Sequence, residues 1–334
     1  MKDGFKAFLL GILVRVGRFK KKIKRRFRLI WVFSLVATTL RYRISALYNG
    51  LLLNSASAFE IHNLRRNTHR IEKGLAHPNP RKVFGRAYIQ ETVDLFRAAY
   101  DCPSSDRGTI EWSDAVLAKY FLHCEHEAEI AVAHAKFKAV GAPNAKPGNV
   151  PYVITRRPET DVTYDGLLNL SRRRTSVRKY QEKKVSRELI SRALDIALQA
   201  PSACNRQAFR FRFYNDIELA HKISQVPGGV SGYLVPSIVV LTGRYCAYFE
   251  ERDFNAPVID ASLVAMGFML ALETLALSSV CINWPNLVDR EKQLRTLIDL
   301  DKDEFVVMMI GVGYPADDVC VPYSQKKYVA DILV

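Results

Sequence analysis

Two polar stretches of this chain carry side chains that could bind a charged small molecule. Residues 171–180 (SRRRTSVRKY) combine guanidinium and hydroxyl groups, and residues 201–207 (PSACNRQ) follow about a helix's length later. Arg174, Ser176 and Arg178 have donors suited to a polar, anionic cofactor. Between the stretches, residues 185–200 carry apolar side chains at helical spacing, and Pro201 ends the pattern. The sequence therefore predicts two polar loops that bracket one helix.

The order of these stretches resembles that of the FMN-dependent nitroreductase family. The resemblance rests on RTSVRKY, a helix and PSACNRQ, and it continues through 281–286 (CINWPN), 311–315 (GVGYP) and 324–327 (SQKK). It covers roughly the last half of the chain, with the motifs in the family's order. The simpler alternative makes 172–174 a solvated basic face and 201–207 an ordinary turn between a helix and a strand.

The resemblance implies a set of FMN contacts and no catalytic side chain, because the flavin carries the chemistry. Arg174, Ser176 and Arg178 are expected at the phosphate, the ribityl chain and the pyrimidine edge of FMN. The loop with Ser202, Asn205 and Gln207 often reaches the flavin of the other subunit in this family, which implies a homodimer. The full predicted set is Arg174, Thr175, Ser176, Arg178, Pro201, Ser202, Asn205, Gln207, Asn283, Trp284, Gly311, Gly313 and Lys326.

Two positions depart from the family's pattern. Asn283 and Trp284 stand where many relatives have glycine beside the redox nitrogen of the flavin. Trp284 could therefore stack on the flavin and narrow the pocket, or it could be a core aromatic residue. Lys326 falls where the family often has a phosphate-binding arginine, with Lys327 as the alternative, and lysine lacks the bidentate fork of arginine.

The implied activity is ping-pong hydride transfer from NADH or NADPH, through FMN, to an electron-poor acceptor such as a nitroaromatic compound or a quinone. The loops 226–233 and 245–255 are the expected substrate-selecting segments, in which Tyr233, Tyr248 and Phe249 could line an aromatic slot or could simply be packing. One alternative is a flavin-binding or scaffold protein of a membrane-linked pathway without reductase activity. Another is an interaction protein whose basic arm is the active part.

The positive charge of the chain is concentrated at its N-terminus. The 334 residues carry a formal charge of +15, and residues 1–60 hold thirteen Lys and Arg against two acidic residues. Residues 15–28 are densely basic, whereas 5–16 and 29–40 are apolar and too short to span a bilayer, which needs about 20 apolar residues. This pattern favours an anionic membrane surface, with packing on the protein itself or nucleic-acid binding as alternatives.

We expect three parts: a basic and apolar arm (1–60), a helical subdomain with a linker (61–165) and an FMN domain (166–334). The implied fold class is α+β, with a central, mostly antiparallel sheet flanked by helices and preceded by the helical extension. The expected location is the cytoplasm, with peripheral attachment to the inner membrane face as an option. The six scattered cysteines predict reduced thiols.

Within the helical subdomain, periodicity predicts helices over 88–100 and 113–138. Arg65, His69, Arg70 and Lys73 share one helical face, which could bind an acidic group or remain solvated. His123, His126, Glu127 and His134 could suggest a metal, but their spacing favours a solvated helix face, so no metal site is predicted. The FMN domain is expected to contain helices over 185–200, 217–224, 257–277 and 290–298, and strands over 209–214, 236–242, 280–283 and 304–311.

Overall fold

The computed structural model describes residues 29–334 except 31, 39, 42–43, 45–47, 49–55, 104, 126, 142–147, 231 and 249. The predictions for residues 1–28, His126 and Phe249 lie outside the described residues. The chain divides into two compact units, Met1–Ala46 and Leu47–Val334. The predicted division at residues 60 and 165 is based on composition and stays a prediction.

The described part of the first unit is helical at residues 29–30, 32–38, 40–41 and 44. Its apolar side chains are exposed, from 46 % of the Val32 surface to 72 % of the Phe33 surface. The other exposed apolar side chains in this segment are Leu29, Ile30, Leu35, Val36, Leu40 and Ile44. Among the described residues of this unit, none covers the apolar face of this helix.

Four helices form a subdomain at the start of the second unit: α1 (Ala56–Leu75), α2 (Arg86–Tyr100), α3 (Arg107–His123) and α4 (Ala128–Val140). Their apolar faces meet in one core that includes Leu64, Ile71, Phe96, Val116 and Tyr120. The Asp106 side chain caps α3 by accepting a hydrogen bond from the Gly108 amide. The subdomain is therefore a helical layer with its own buried centre.

The prediction of one helix over 113–138 is wrong, because the chain breaks between α3 and α4. Cys124 is extended, with φ −82° and ψ 141°. The Glu125 amide then donates to the Lys82 carbonyl at 2.8 Å, which ties the break to the segment before α2. Helical periodicity continues across the break, so the pattern alone does not reveal it.

The rest of the second unit is built on a four-stranded antiparallel sheet in the order β1-β2-β4-β3. Its strands are β1 (Phe209–Tyr214), β2 (Ser237–Arg244), β3 (Ser278–Asn283) and β4 (Glu304–Gly313). The helices around it are α5 (Tyr164–Arg173), α6 (Arg187–Ala197), α7 (Ile217–Gln225), α8 (Ala256–Thr274) and α9 (Val288–Leu297). The fold is α+β, as predicted, with a sheet flanked by helices and a helical extension before it.

Helices cover the sheet on both faces. Ile238 and Val240 of β2 enter one core together with residues of α7 and α9. Val239 and Leu241 enter the other core together with residues of α6 and α8. Because successive side chains of a strand point to opposite faces, every residue of β2 is buried.

α8 is long and apolar enough to cross a membrane, but half of its apolar window is buried within the protein. Its two acidic residues, Asp260 and Glu273, are both buried. The prediction of a deeply buried helix holds for most of its length, but not for all of it. Val258, Ile259, Leu263 and Met266 form an exposed apolar stripe on one face.

α5 was not predicted from the sequence. The Thr163 hydroxyl accepts a hydrogen bond from the Gly166 amide and caps this helix. α5 runs to Arg173, so the first three residues of the 171–180 stretch are helical rather than part of a loop. None of its apolar side chains is buried, although the helix is strongly amphipathic.

Candidate functional site

The first polar stretch runs beside the edge strand of the sheet. Arg174 follows the end of α5, and Ser176 then forms a parallel bridge with Ser279 of β3. The Val177 amide donates to the Ser279 carbonyl at 3.0 Å. Beyond this bridge, Cys281 and Asn283 are exposed on one face of β3. We call Arg174, Ser176, Arg178, Cys281 and Asn283 the strand cluster.

The strand cluster is electropositive and has unused donors. The Arg178 Nη1 atom makes one long contact, 3.4 Å, with the carbonyl oxygen of its neighbour Ser176. Burial raises the pKa of the Cys281 thiol, and nearby Arg174 opposes that rise. Burial also raises the pKa of Glu273, although Arg173 and Arg174 lower it. Arg174 and Arg178 can therefore still bind an anionic group from solution.

Gly311, Gly313 and Trp284 are buried in the protein. An added Cβ at Gly313 would lie 2.7 Å from Tyr180 Cδ1 and 2.9 Å from Pro236 Cγ. At Gly311 it would lie 3.0 Å from a Val280 methyl group. Trp284 belongs to the core on the α7 and α9 side of the sheet, which is the alternative that the sequence left open. Protein side chains account for all three residues, and their contact with a cofactor stays a prediction.

The second polar stretch, residues 201–207, precedes β1, and we call it the loop cluster. Three of its residues, Cys204, Asn205 and Gln207, have a left-handed backbone with φ of 52°, 51° and 49°. Asp260 of α8 accepts the Ala203 amide at 3.0 Å. Ser202 Oγ accepts the Gln207 amide at 3.2 Å. This loop is thus a strained segment held by side-chain acceptors.

Buried charges surround the loop cluster. The side chain of Arg206 is 2 % exposed and forms a 2.8 Å ion pair with Asp253. The Tyr248 hydroxyl donates to Asp260 at 2.6 Å. Burial raises the pKa of Asp260, although its bonds to Tyr248 and to the Ala203 amide lower it. Tyr248 is therefore part of this buried network, which is the packing alternative that the sequence left open.

The Arg174–Ser176 end of the strand cluster and the loop cluster lie at opposite ends of the sheet. Phe209, just after the loop cluster, pairs with Gly243, whereas Ser279, the bridge partner of Ser176, lies in the row of Val312 and Ser237. The six residue steps of β2 from Ser237 to Gly243 span about 20 Å. Along α8, Asp260 contacts the loop cluster and Glu273 contacts Arg173, a separation of about 20 Å at 1.5 Å per residue. One chain thus carries two separate groups of predicted site residues.

Three predicted residues remain, and of these Lys326 lies far along the chain from both clusters. Lys326 is exposed in the segment after β4, and Tyr323 beside it is 89 % exposed. Thr175 lies between the strand-cluster residues Arg174 and Ser176, and Pro201 is exposed at the start of the loop cluster. Within the described part of the chain, no group of three or more His, Cys, Asp and Glu side chains could hold a metal ion.

Sequence reasoning missed that α1 contacts the loop cluster. Arg65 Nε donates to the Asn205 carbonyl at 2.8 Å, and Arg66 pairs with Glu250. The imidazole of His62 bonds the backbone of Arg206. The sequence signal was the basic face of residues 65–73. In the structure, Arg65 and Arg70 of that face are used for contacts within the protein, so they do not form a free acid-binding surface.

Comparison with known proteins gives a consistent result. A family model described as "Nitroreductase family" matches residues 171–228 and 233–314. The chain is 30 % identical over 151 residues to the "Putative NADH dehydrogenase/NAD(P)H nitroreductase" of Archaeoglobus fulgidus, covering 43 % of this chain and 83 % of that protein. An archaeal relative of the same name, from Methanothermobacter thermautotrophicus, is 29 % identical over 49 % of this chain and 85 % of its own length.

One solved structure similar to this chain is the "FMN-dependent Nitroreductase" of Clostridium difficile R20291. It is 21 % identical, with a TM-score of 0.40, over 49 % of this chain and 94 % of that one. All these matches cover about half of the chain, and the family match begins at residue 171. The helical subdomain and the arm lie outside that family match.

The buried His62 predicts how the stability of the protein depends on pH. Burial and the nearby charges of Arg244 and Arg65 lower its pKa from 6.5 to about 3, although Asp303 opposes this. As the pH falls below 6.5, the unfolded chain binds a proton at His62 and the folded protein does not. The free energy of unfolding therefore decreases as the pH falls below 6.5, by up to about 1.4 kcal/mol per pH unit.

We expect His62→Gln to flatten the decline in the free energy of unfolding between pH 6.5 and 5, measured by urea denaturation. His77→Gln is the control, because His77 is exposed. Equal slopes for the wild type and His62→Gln would contradict the assignment.

Proposed function

Because this chain belongs to the nitroreductase family, we propose that it is an NAD(P)H-dependent oxidoreductase that binds FMN at the strand cluster. The observation that carries this proposal is the set of unsatisfied cationic and hydroxyl donors beside the exposed face of β3. Arg178 has one long internal contact, and Ser279 Oγ is buried without a hydrogen-bond partner. Such donors suit a phosphate and the polar edge of a flat ring.

The roles of the residues follow from the chemistry of their side chains. Arg174 and Arg178 would hold the phosphate and the pyrimidine edge, and Ser176 would bond the ribityl chain. Bound FMN would supply the hydride chemistry, in ping-pong fashion, between NAD(P)H and an electron-poor acceptor. A fixed positive charge near the pyrimidine edge stabilises negative charge there, and so favours reduction of the cofactor. Lys326 would add a point charge for the phosphate.

The acceptor is proposed to be a small, electron-poor molecule such as a nitroaromatic compound or a quinone. The segments 226–233 and 245–255 remain the candidates for selecting it. Tyr233 is half-exposed in the first segment and could contact an acceptor. Most described residues at the start of the second segment are buried, which leaves the first segment as the better candidate.

The site is proposed to be completed by a second copy of this chain. Within one chain, the loop cluster lies about 20 Å from the Arg174–Ser176 end of the strand cluster, so Asn205 and Gln207 lie far from an FMN phosphate held at that end. The exposed stripe on α8 (Val258, Ile259, Leu263 and Met266), exposed by 42 to 54 %, suits an isologous contact. The exposed apolar residues of the C-terminal segment, Tyr328, Val329 and Leu333, suit the same partner.

The N-terminal arm is proposed to hold the enzyme at the inner face of a membrane. The described helical residues of the arm expose Leu29, Phe33 and Val36, and the preceding residues 15–28 are densely basic. Apolar contact and attraction to anionic lipids act together in such a segment. The six cysteines form no disulfide in the described part of the chain, in keeping with the proposed cytoplasmic location. We retain residues 1–60, 61–165 and 166–334 as the proposed functional parts.

The first prediction concerns the cofactor. We expect purified protein to show a flavin absorbance spectrum that bleaches on anaerobic addition of NADH or NADPH. Arg178→Ala should weaken FMN binding by about 10- to 100-fold, because it removes charge-assisted hydrogen bonds worth about 1.5–3 kcal/mol. The control is Arg192→Ala, which removes an exposed arginine of α6.

Unchanged FMN content in Arg178→Ala would contradict the site. Protein without colour even after added FMN would contradict the cofactor. A flavin spectrum that neither NADH nor NADPH bleaches would favour the alternative of a flavin-binding protein without reductase activity.

The second prediction concerns the dimer. Leu263→Glu places an unpaired carboxylate in the proposed interface twice per dimer, so we expect the dissociation constant of the dimer to rise by roughly 100-fold or more. Light scattering coupled to gel filtration measures it. Leu122→Glu is the control, because Leu122 is exposed on the helical subdomain. A wild-type protein that is monomeric while it retains FMN would refute the two-chain site.

The third prediction concerns the arm. We expect the full-length protein to sediment with vesicles of mixed anionic and zwitterionic lipid, and not with purely zwitterionic vesicles. Phe33→Glu should weaken sedimentation about 10-fold or more, because a charge replaces an exposed ring that would enter the interface. Tyr152→Glu, at an exposed ring of the second unit, is the control. Equal sedimentation of both variants would count against this role of the arm.

A further inference from the structure

The loop cluster adopts a backbone that it would not keep without support. Cys204, Asn205 and Gln207 all have φ near +50°, a region that residues with a side chain rarely adopt. Three such residues within four positions persist only where the surrounding structure holds them. The groups that hold the loop therefore determine where the side chains of Asn205 and Gln207 lie.

The FMN domain holds the loop from one side. Asp260 of α8 accepts the Ala203 amide at 3.0 Å, and the Tyr248 hydroxyl donates to the same carboxylate at 2.6 Å. Arg206 is fixed by its ion pair with Asp253 at 2.8 Å. These contacts hold residues 203 and 206, and the Arg206 amide donates to the Ala203 carbonyl at 3.2 Å, but none of them binds the carbonyl oxygen of the peptide group between Asn205 and Arg206.

α1 of the N-terminal extension holds that peptide group. Arg65 Nε donates to the Asn205 carbonyl oxygen at 2.8 Å. Asn205 has a left-handed backbone, so the direction of its carbonyl depends on that strained conformation. The bond joins residues 140 positions apart in the chain, which makes it a tertiary contact rather than part of the local turn.

The guanidinium of Arg65 is itself fixed by α3. Its Nη1 atom donates to Thr109 Oγ1 at 2.5 Å, and the group lies 5.2 Å from the centre of the Trp112 ring. Asp106, at 3.5 Å, adds an ion pair. Because Nε bonds the loop and Nη1 bonds α3, the planar guanidinium of Arg65 connects the start of α3 rigidly to the loop.

We propose that Arg65 is a positioning residue of the flavin site, through which the helical extension sets the orientation of Asn205 and Gln207. The inference rests on the proposed function, in which these side chains approach the FMN of the partner subunit. Lysine at position 65 would keep the charge but could not bond Asn205 and Thr109 at the same time, because it lacks the planar fork.

The test compares Arg65→Met and Arg65→Lys with Arg70→Met in the full-length protein. Arg70 is the matched control, because it lies on the same helix and packs on the Tyr88 ring at 3.7 Å within the helical subdomain. Its hydrogen bond goes to Asn67, on the same helix. Both methionine variants should therefore lower the melting temperature of the protein, whereas Arg65→Met alone should release the loop.

Two readouts are measured on each protein. Hydrogen–deuterium exchange of the amides of residues 203–207, in FMN-free protein, should accelerate about 10-fold or more in Arg65→Met and less in Arg65→Lys. The dissociation constant of FMN, measured by flavin fluorescence, should rise about 10-fold in Arg65→Met. Arg70→Met should leave both values within about twofold of the wild type.

The outcomes separate the two proposals. Unchanged exchange in Arg65→Met overturns the positioning role, and so does faster exchange with unchanged FMN affinity. An equal effect of Arg70→Met on both readouts would show general loosening of the subdomain and also overturn it. A wild-type protein that binds no FMN overturns the proposed function instead, while the exchange of residues 203–207 still decides whether Arg65 holds the loop.

Discussion

The length of α8 is the constraint on which the arrangement of this protein depends. A buried acid near each end of the helix, Asp260 and Glu273, contacts a different group of polar residues. About 20 Å of apolar helix therefore separates the loop cluster from the Arg174 end of the strand cluster. Because a helix cannot shorten, no rearrangement of nearby side chains can bring the two groups together within one chain. The same helix carries the apolar stripe through which a second chain could bring them together.

Buried charge fixes the loop cluster more firmly than apolar packing could. The pair of Arg206 and Asp253 is almost completely removed from water, and loss of one partner of such a pair costs about 3–5 kcal/mol. Hydrogen bonds, unlike apolar contacts, depend on direction, so they can select one backbone conformation of a loop. This explains why a left-handed segment is surrounded by Asp260, Asp253 and the guanidinium of Arg65. The extension supplies part of that surrounding, although it lies outside the family match.

The periodicity of apolar residues predicted a helix or strand correctly where that element has one buried face. The bounds of β1 coincide with the predicted strand, and α7, α9 and β4 differ from their predictions by at most two residues at each end. The signals failed where a tertiary contact competed with them. The bond from Glu125 to Lys82 interrupts a pattern that otherwise reads as one helix. A strand-edge site could be expected from the motif order, but for Trp284 and Tyr248 the sequence could not decide between ligand contact and packing.

The sequence by itself determined the α+β class, the polar stretches and the family, because these depend on local periodicity and on residue types at short spacing. The tertiary structure alone decided that the two stretches lie at opposite ends of the sheet, because strand order and helix packing set that distance. It also decided that α1 contacts the loop cluster. A hydrogen bond between Arg65 and a backbone carbonyl 140 residues away leaves no pattern in the sequence. Every residue carries the same backbone carbonyl, whatever its side chain.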